Sequence, residues 1–147
     1  MLVIQEQDNQ LVLRFSKGEE FKKAFEAFLK ERGIKGGFFY GLGGAISGRL
    51  RYYHLVSKEY ETTEFSAEFS AQHFEVSNIT GNVAQKKGVS IIHAHATLAG
   101  KDLKTFGGDI SELIVGGTLE VFLTILKPME RDLDAESGLS VLTSSKF

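Results

Sequence analysis

An α+β domain, with a mainly antiparallel β-sheet packed on one principal N-terminal helix, is the fold class that three features of the sequence predict. Helical periodicity occurs in one early stretch, and the rest of the chain reads as strands, so alternating βαβ units cannot be built. Sixteen glycines stand against one proline, marking turns and close backbone approaches. Twelve phenylalanines and no tryptophan describe a Phe-heavy core.

At 147 residues and 42% hydrophobic content, the chain suits a single domain over 1–147, with a core about 1–127 and a polar connector and short terminal strand over 128–147. A net charge of -2 would repel a phosphate backbone, which argues against non-specific DNA binding. With no cysteine, disulfides, thiolate zinc sites and thiol catalysis are excluded, and any metal must be held by His, Asp, Glu or water. Polar residues interrupt the apolar positions of MLVIQEQDNQLVLRF, so no signal peptide or membrane span is read there and a cytoplasmic location is expected.

Leu2 to Gln7 and Leu11 to Phe15 read as an opening hairpin joined around Asp8, Asn9 and Gln10. Ser16 with Glu19 fits a capping box, and Phe21, Ala24, Phe25, Phe28 and Leu29 recur at helical intervals. Gly33 supplies the left-handed stop of a helix running from about Gly18 to Arg32. Gly36 to Tyr53 is strand cut by glycines, and Gly41-Leu42-Gly43-Gly44 matches no nucleotide-binding loop. Further strands are expected at Tyr60 to Phe69, Phe74 to Ala84, Val89 to Leu98, Ile110 to Val115 and Leu119 to Leu126, with a last one near Leu139 to Leu142. One helix covers only part of such a sheet, so a homo-oligomeric contact is the simplest cover for the rest.

The segment Ile91 to Asp109, IIHAHATLAGKDLKTFGGD, is the chief functional signal. In an extended strand His93 and His95 leave the sheet on one side, while Ile92, Ala94, Ala96 and Leu98 take the other. Asp109, returning after a Gly-Gly turn, makes a third group for binding a metal or passing a proton. The structural alternative is two solvated histidines, since the alternation lacks a closed ligand count. Without metal, an Asp–His pair is expected to raise the histidine pKa and provide a general base. Arg49 and Arg51 share a strand face, as an anion site or an exposed charged edge. His54 and His73 read as ordinary surface or packing histidines.

In order along the chain come Arg14 and Gly18, GLGGAIS at Gly41 to Ser47, Tyr52-Tyr53, Tyr60, FEVSNITGNVA from Phe74 to Ala84, HAHATLAG from His93 to Gly100, Gly107-Gly108, and Leu119-Glu120-Val121. This order and spacing resembles the PPC domain, plants and prokaryotes conserved, over nearly the whole chain. The resemblance implies a homotrimeric α+β domain whose members carry three histidines that look like a metal site, zinc first. His93 and His95 match the first two positions, and Asp109 stands at the third, where the family usually has histidine. That change keeps zinc open and favours harder metals, iron or manganese. It equally allows a metal-free site in which Asp109 hydrogen-bonds an imidazole. Glu75 matches an acidic position of the family and Asn82 follows a turn glycine; both are candidate ligand-binding residues beside a plain reading as sheet face and turn former.

Plant members carry the domain beside an AT-hook, whose Arg-Gly-Arg-Pro core is absent here, because Lys127 precedes the only proline, Pro128. Direct DNA contact is therefore not expected, and DNA association would run through protein partners. The functional expectation is a stand-alone ligand- or partner-binding module. The alternative is a metal-binding protein or metal-dependent enzyme using His93, His95 and Asp109, with no catalytic residue assigned. A third reading is a structural trimer whose histidines make its stability respond to pH.

Overall fold

The computed structural model describes residues 1–67 and 73–143. The chain opens with β1 (Leu2–Gln7) and β2 (Gln10–Ser16), then α1 (Phe21–Glu31), then β3 (Gly37–His54), β4 (Glu59–Ser66), β5 (Phe74–Lys86), β6 (Val89–Ala99), β7 (Thr105–Ile125), β8 (Glu130–Leu133) and β9 (Ser140–Thr143). The expected strand end at Phe69 lies outside the described residues. Every ladder is antiparallel except a single parallel bridge, Gln85 to Glu130, between β5 and β8.

The opening hairpin forms as expected, turning at Asp8 with φ 53. The helix starts later than the Ser16 signal predicts. Residues before it are held by β7: Gly18 N–H donates to Val115 O at 2.8 Å and Val115 N–H to Glu19 O at 3.0 Å. Glu19 still reaches back to the Ser16 N–H at 2.6 Å, the rear half of a capping box. The cap itself is Glu20, whose carboxylate accepts from Lys22 N–H at 3.1 Å and Lys23 N–H at 2.7 Å. Gly33 ends the helix at φ 64, a left-handed position that costs a glycine little.

The Phe stripe of α1 packs on the sheet. Phe21, Phe25 and Phe39 are each 0% exposed, and the Phe25 and Phe39 rings meet edge-on with centroids 5.0 Å apart. Two expected strands, Ile110 to Val115 and Leu119 to Leu126, are one: β7 runs through Gly116 and Gly117, where β3 shifts register against it between Gly43 and Ser47. Bulges absorb what reads in sequence as a break. The ladders close on themselves, because β3 pairs β5, β5 pairs β6, β6 pairs β7 and β7 pairs β3. The polar segment after Pro128 is also not a plain connector, since β8 pairs β9 as a hairpin. No helix among the described residues is long and apolar enough to cross a membrane.

Candidate metal centre

Alternation along β6 works as the sequence implies: Ile92, Ala94, Ala96 and Leu98 are buried at 2, 3, 4 and 0% exposure, and the two imidazoles leave on the opposite face. Their rings meet edge-on with centroids 5.1 Å apart. Asp109 arrives from β7 directly opposite His95. It does not arrive by a Gly-Gly turn. Gly107 and Gly108 sit inside the β6–β7 ladder opposite Thr97 and Ala96, and the chain reverses earlier, where Leu103 N–H donates to Gly100 O at 2.9 Å. The glycine at 107 serves proximity: a Cβ there would lie 2.5 Å from the Ala96 carbonyl oxygen. Its absence lets the two site strands pair at this point.

One ligand atom from each of His93, His95 and Asp109 lies within 4.8 Å of the others. His93 Nε2 stands 3.6 Å from Asp109 Oδ1. The other carboxylate oxygen is taken by Arg51, which donates to Oδ2 from Nε at 2.8 Å and brings Nη2 within 2.5 Å of it as an ion pair. Of the sequence alternatives for the two arginines, a paired edge holds, since Arg49 likewise pairs with Glu112 at 2.7 Å.

On the far side of His93 is Arg131 of β8. Its Nη2 donates to Asn82 Oδ1 at 2.9 Å and faces His93 Nδ1 at 3.2 Å. A guanidinium only donates, so Nδ1 accepts, and the neutral ring's proton sits on Nε2 facing Asp109. The expected raising of the histidine pKa by Asp109 is overturned for His93, whose pKa is lowered from 6.5. Burial is the largest cause and the Arg131 charge the next; Asp109 pulls upward and loses. Burial also lowers the pKa of Arg131, against the pull of Asp109 and Tyr60.

Asn82 thus stands at the site, opposite His93 across the β5–β6 ladder, as the residue that orients Arg131. Glu75 does not reach the cluster. It is exposed, pairs with His73 Nε2 at 2.7 Å, and lines a separate hollow beside Gly43 and Gly44. His54 is a surface histidine paired with Glu61 at 3.0 Å. Sequence reasoning missed Arg131 altogether. It is one base in the acidic run Glu130 to Glu136, a pattern that reads as a solvated face.

The cluster opens on a cavity of about 840 Å³ walled by Tyr53, Tyr60, the β8–β9 hairpin and Arg51. The Arg51 guanidinium lies 4.4 Å over the Tyr60 ring, and Tyr53 and Tyr60 pack with centroids 4.8 Å apart. Tyr53 also donates its hydroxyl to Ser137 O at 2.8 Å, which ties the segment after β8 to the cavity wall.

Fold and site together define a β-rich α+β domain with a His-His-Asp cluster at the mouth of a ligand-sized cavity. The model of the Plants and Prokaryotes Conserved (PCC) domain matches residues 4–127, and the chain belongs to that family. Among solved structures, it is similar to a plant- and prokaryote-conserved (PPC) protein of Pyrococcus horikoshii, with a TM-score of 0.84 and 27% identity over 100% of both chains. It is similar to a protein described as metal-containing from Archaeoglobus fulgidus, with a TM-score of 0.83 and 28% identity over 97% of this chain and 99% of that one. A candidate DNA-binding protein of Bacteroides thetaiotaomicron gives a TM-score of 0.87 and 25% identity over 95% of this chain and 94% of that one. No curated protein matches the sequence.

Proposed function

We propose that this chain is a metal-dependent ligand-binding module in which His93, His95 and Asp109 hold one divalent cation. The observation that carries the reading is the 4.8 Å convergence of three ligand atoms from neighbouring strands. With bonds of about 2.0–2.2 Å, tetrahedral ligands lie roughly 3.4 Å apart, so the 3.6 Å between His93 Nε2 and Asp109 Oδ1 is of the right size; ligation through Nε2 requires the ring proton to move to Nδ1 and the Arg131 contact there to give way. The division of labour at Asp109 fits too: Oδ2 is held by Arg51, and Oδ1 is left for the ion. The likeness to a metal-containing archaeal protein supports the same reading.

Zinc is the first candidate, with iron or manganese as the alternatives that a carboxylate ligand favours. His93, His95 and Asp109 would hold the ion, and a bound zinc would supply Lewis acidity to a ligand or water in the cavity. The chain's residues orient that ligand. Arg51 fixes the carboxylate, and Tyr53 and Tyr60 form one wall of the cavity.

The assembly proposed is a homotrimer in the cytoplasm. Phe38, Tyr40 and Leu42 alternate along β3 at 45, 51 and 55% exposure, on the face away from buried Phe39, and Phe122 stacks on Tyr40 at 5.2 Å. An apolar ridge of this kind favours self-association. Likeness to a candidate DNA-binding protein supports a DNA-associated role only through partners, since the net charge of -2 opposes phosphate binding.

Cobalt(II) titration of the untagged full chain tests the reading. One equivalent per chain should develop the intense visible bands of a low-coordinate site, and His95→Ala should abolish them with the circular dichroism unchanged. A spectrum of hexa-aquo cobalt throughout would overturn the assignment.

A further inference from the structure

The geometry points to Arg131 as the docking point for the carboxylate of a small organic anion, whose apolar body lies along Tyr53, Tyr60, Leu133 and Val141. The inference rests on reading this cavity as a ligand site and deepens it by naming the ligand class; it does not need the metal.

Arg131 is only 7% exposed, yet its acceptors are all neutral. Nη1 donates to the Ser140 carbonyl at 2.5 Å, and Nη2 to Asn82 Oδ1 at 2.9 Å and His93 Nδ1 at 3.2 Å. Its Nε has no hydrogen-bond partner, nor does the nearby Ser140 Oγ. No carboxylate among the described residues comes within ion-pair distance, whereas Arg51 pairs with Asp109 and Lys22 with Glu26. A cation taken out of water without a counter-ion is costly, and such groups are normally paired. The missing partner is an anion in the cavity that Arg131 lines.

Charge and shape narrow the class. Lys22, Arg51, Lys86 and Arg131 line the cavity, against Asp109 as the sole acidic lining residue among the described residues. Lys22 and Arg51 are paired and Lys86 is exposed, so the one buried guanidinium without a counter-ion matches a monoanionic carboxylate better than a phosphate dianion, which takes several cationic donors. Leu133 is 75% exposed and Val141 36%, although both line the cavity. An occupant with an apolar body covers them, and about 840 Å³ accommodates a small molecule.

Calorimetric titration of the untagged full chain, stripped with chelator, uses benzoate as the probe, with benzamide and inorganic phosphate as controls. Benzoate is expected to saturate at one per chain, benzamide not to bind, and phosphate to bind at least tenfold more weakly. Arg131→Met should lose benzoate at least tenfold. Arg131→Lys keeps the charge without the planar guanidinium and serves if the methionine variant fails to fold; it should weaken binding severalfold. Equal binding of benzoate and benzamide, phosphate binding as well as benzoate, or benzoate binding unchanged in both variants would each overturn the proposal. So would an absence of saturable benzoate binding. Benzoate binding that survives in a chain unable to take up zinc overturns the metal reading and leaves this one standing. Zinc uptake without benzoate binding does the reverse.

Discussion

Arg51 and Asp109 face each other across the β3–β7 ladder, and the guanidinium holds one carboxylate oxygen by an Nε hydrogen bond of 2.8 Å and an ion-pair contact of 2.5 Å from Nη2. The second oxygen is thereby aimed at His93, 3.6 Å away. The arrangement fixes the Asp109 carboxylate in a 5% exposed position, where an unpaired carboxylate would be costly. Arg51→Met should therefore lower metal affinity by about 10–100-fold, the usual effect of losing such support, without altering the helix signal. Chelator competition measures it; unchanged affinity would show that Asp109 needs no support.

Toward the proposed metal, Arg131 acts in the opposite sense. It faces His93 Nδ1 as a donor, which favours the tautomer with a proton on Nε2, and it would add positive charge near a bound ion. Repulsion of that kind is worth on the order of 1 kcal/mol under solvent-like screening, so Arg131→Met should tighten metal binding about fivefold. Competition against a metal-sensitive dye decides the sign, and weaker binding in the variant would contradict it.

Tyr60 reports on the site's charge. Burial raises its phenol above 10.0, Asp109 adds to the rise and Arg51 opposes it. Below pH 10 the phenol is neutral folded or unfolded, and the stability it contributes is fully present. As pH rises past the unfolded value, the unfolded chain ionises first and stability falls until the folded value is passed. Tyr60 is 45% exposed, so screening keeps the effect small. In spectrophotometric titration, Asp109→Asn should shift the highest-titrating tyrosine downward; an unmoved curve would separate Tyr60 from the cluster.

The core predicts a different kind of loss. Phe39 is 0% exposed and touches Phe21 and Phe25 across the helix–sheet contact. Phe39→Ala should cost about 3–5 kcal/mol in denaturant unfolding. A cost below about 1 kcal/mol would mean that the Phe layer refills the space.

Legibility in the sequence tracks physical range. The Phe stripe of α1 and the alternation of β6 are local periodicities, and both place their residues on the faces they imply. Asp109 is legible through a resemblance, but the route of its return is not, because the close approach at Gly107 depends on the partner strand. Where β7 continues through Gly116 and Gly117, a glycine pair reads as a break until the facing bulges of β3 are known. Sequence reasoning gets the direction of the His93 shift wrong because burial and Arg131 are invisible to it, and Asp109 alone would raise the pKa. Arg131 comes from a hairpin docked beside β5 by one bridge, a contact with no periodic signature.

Metal content per chain, measured by elemental analysis of untagged protein purified without chelator and read with its mass in solution, tests the central claim most directly. One divalent ion per chain is expected in the wild type and none in Asp109→Ala. Wild-type protein that stays metal-free after incubation with zinc, iron(II) and manganese(II) would contradict it.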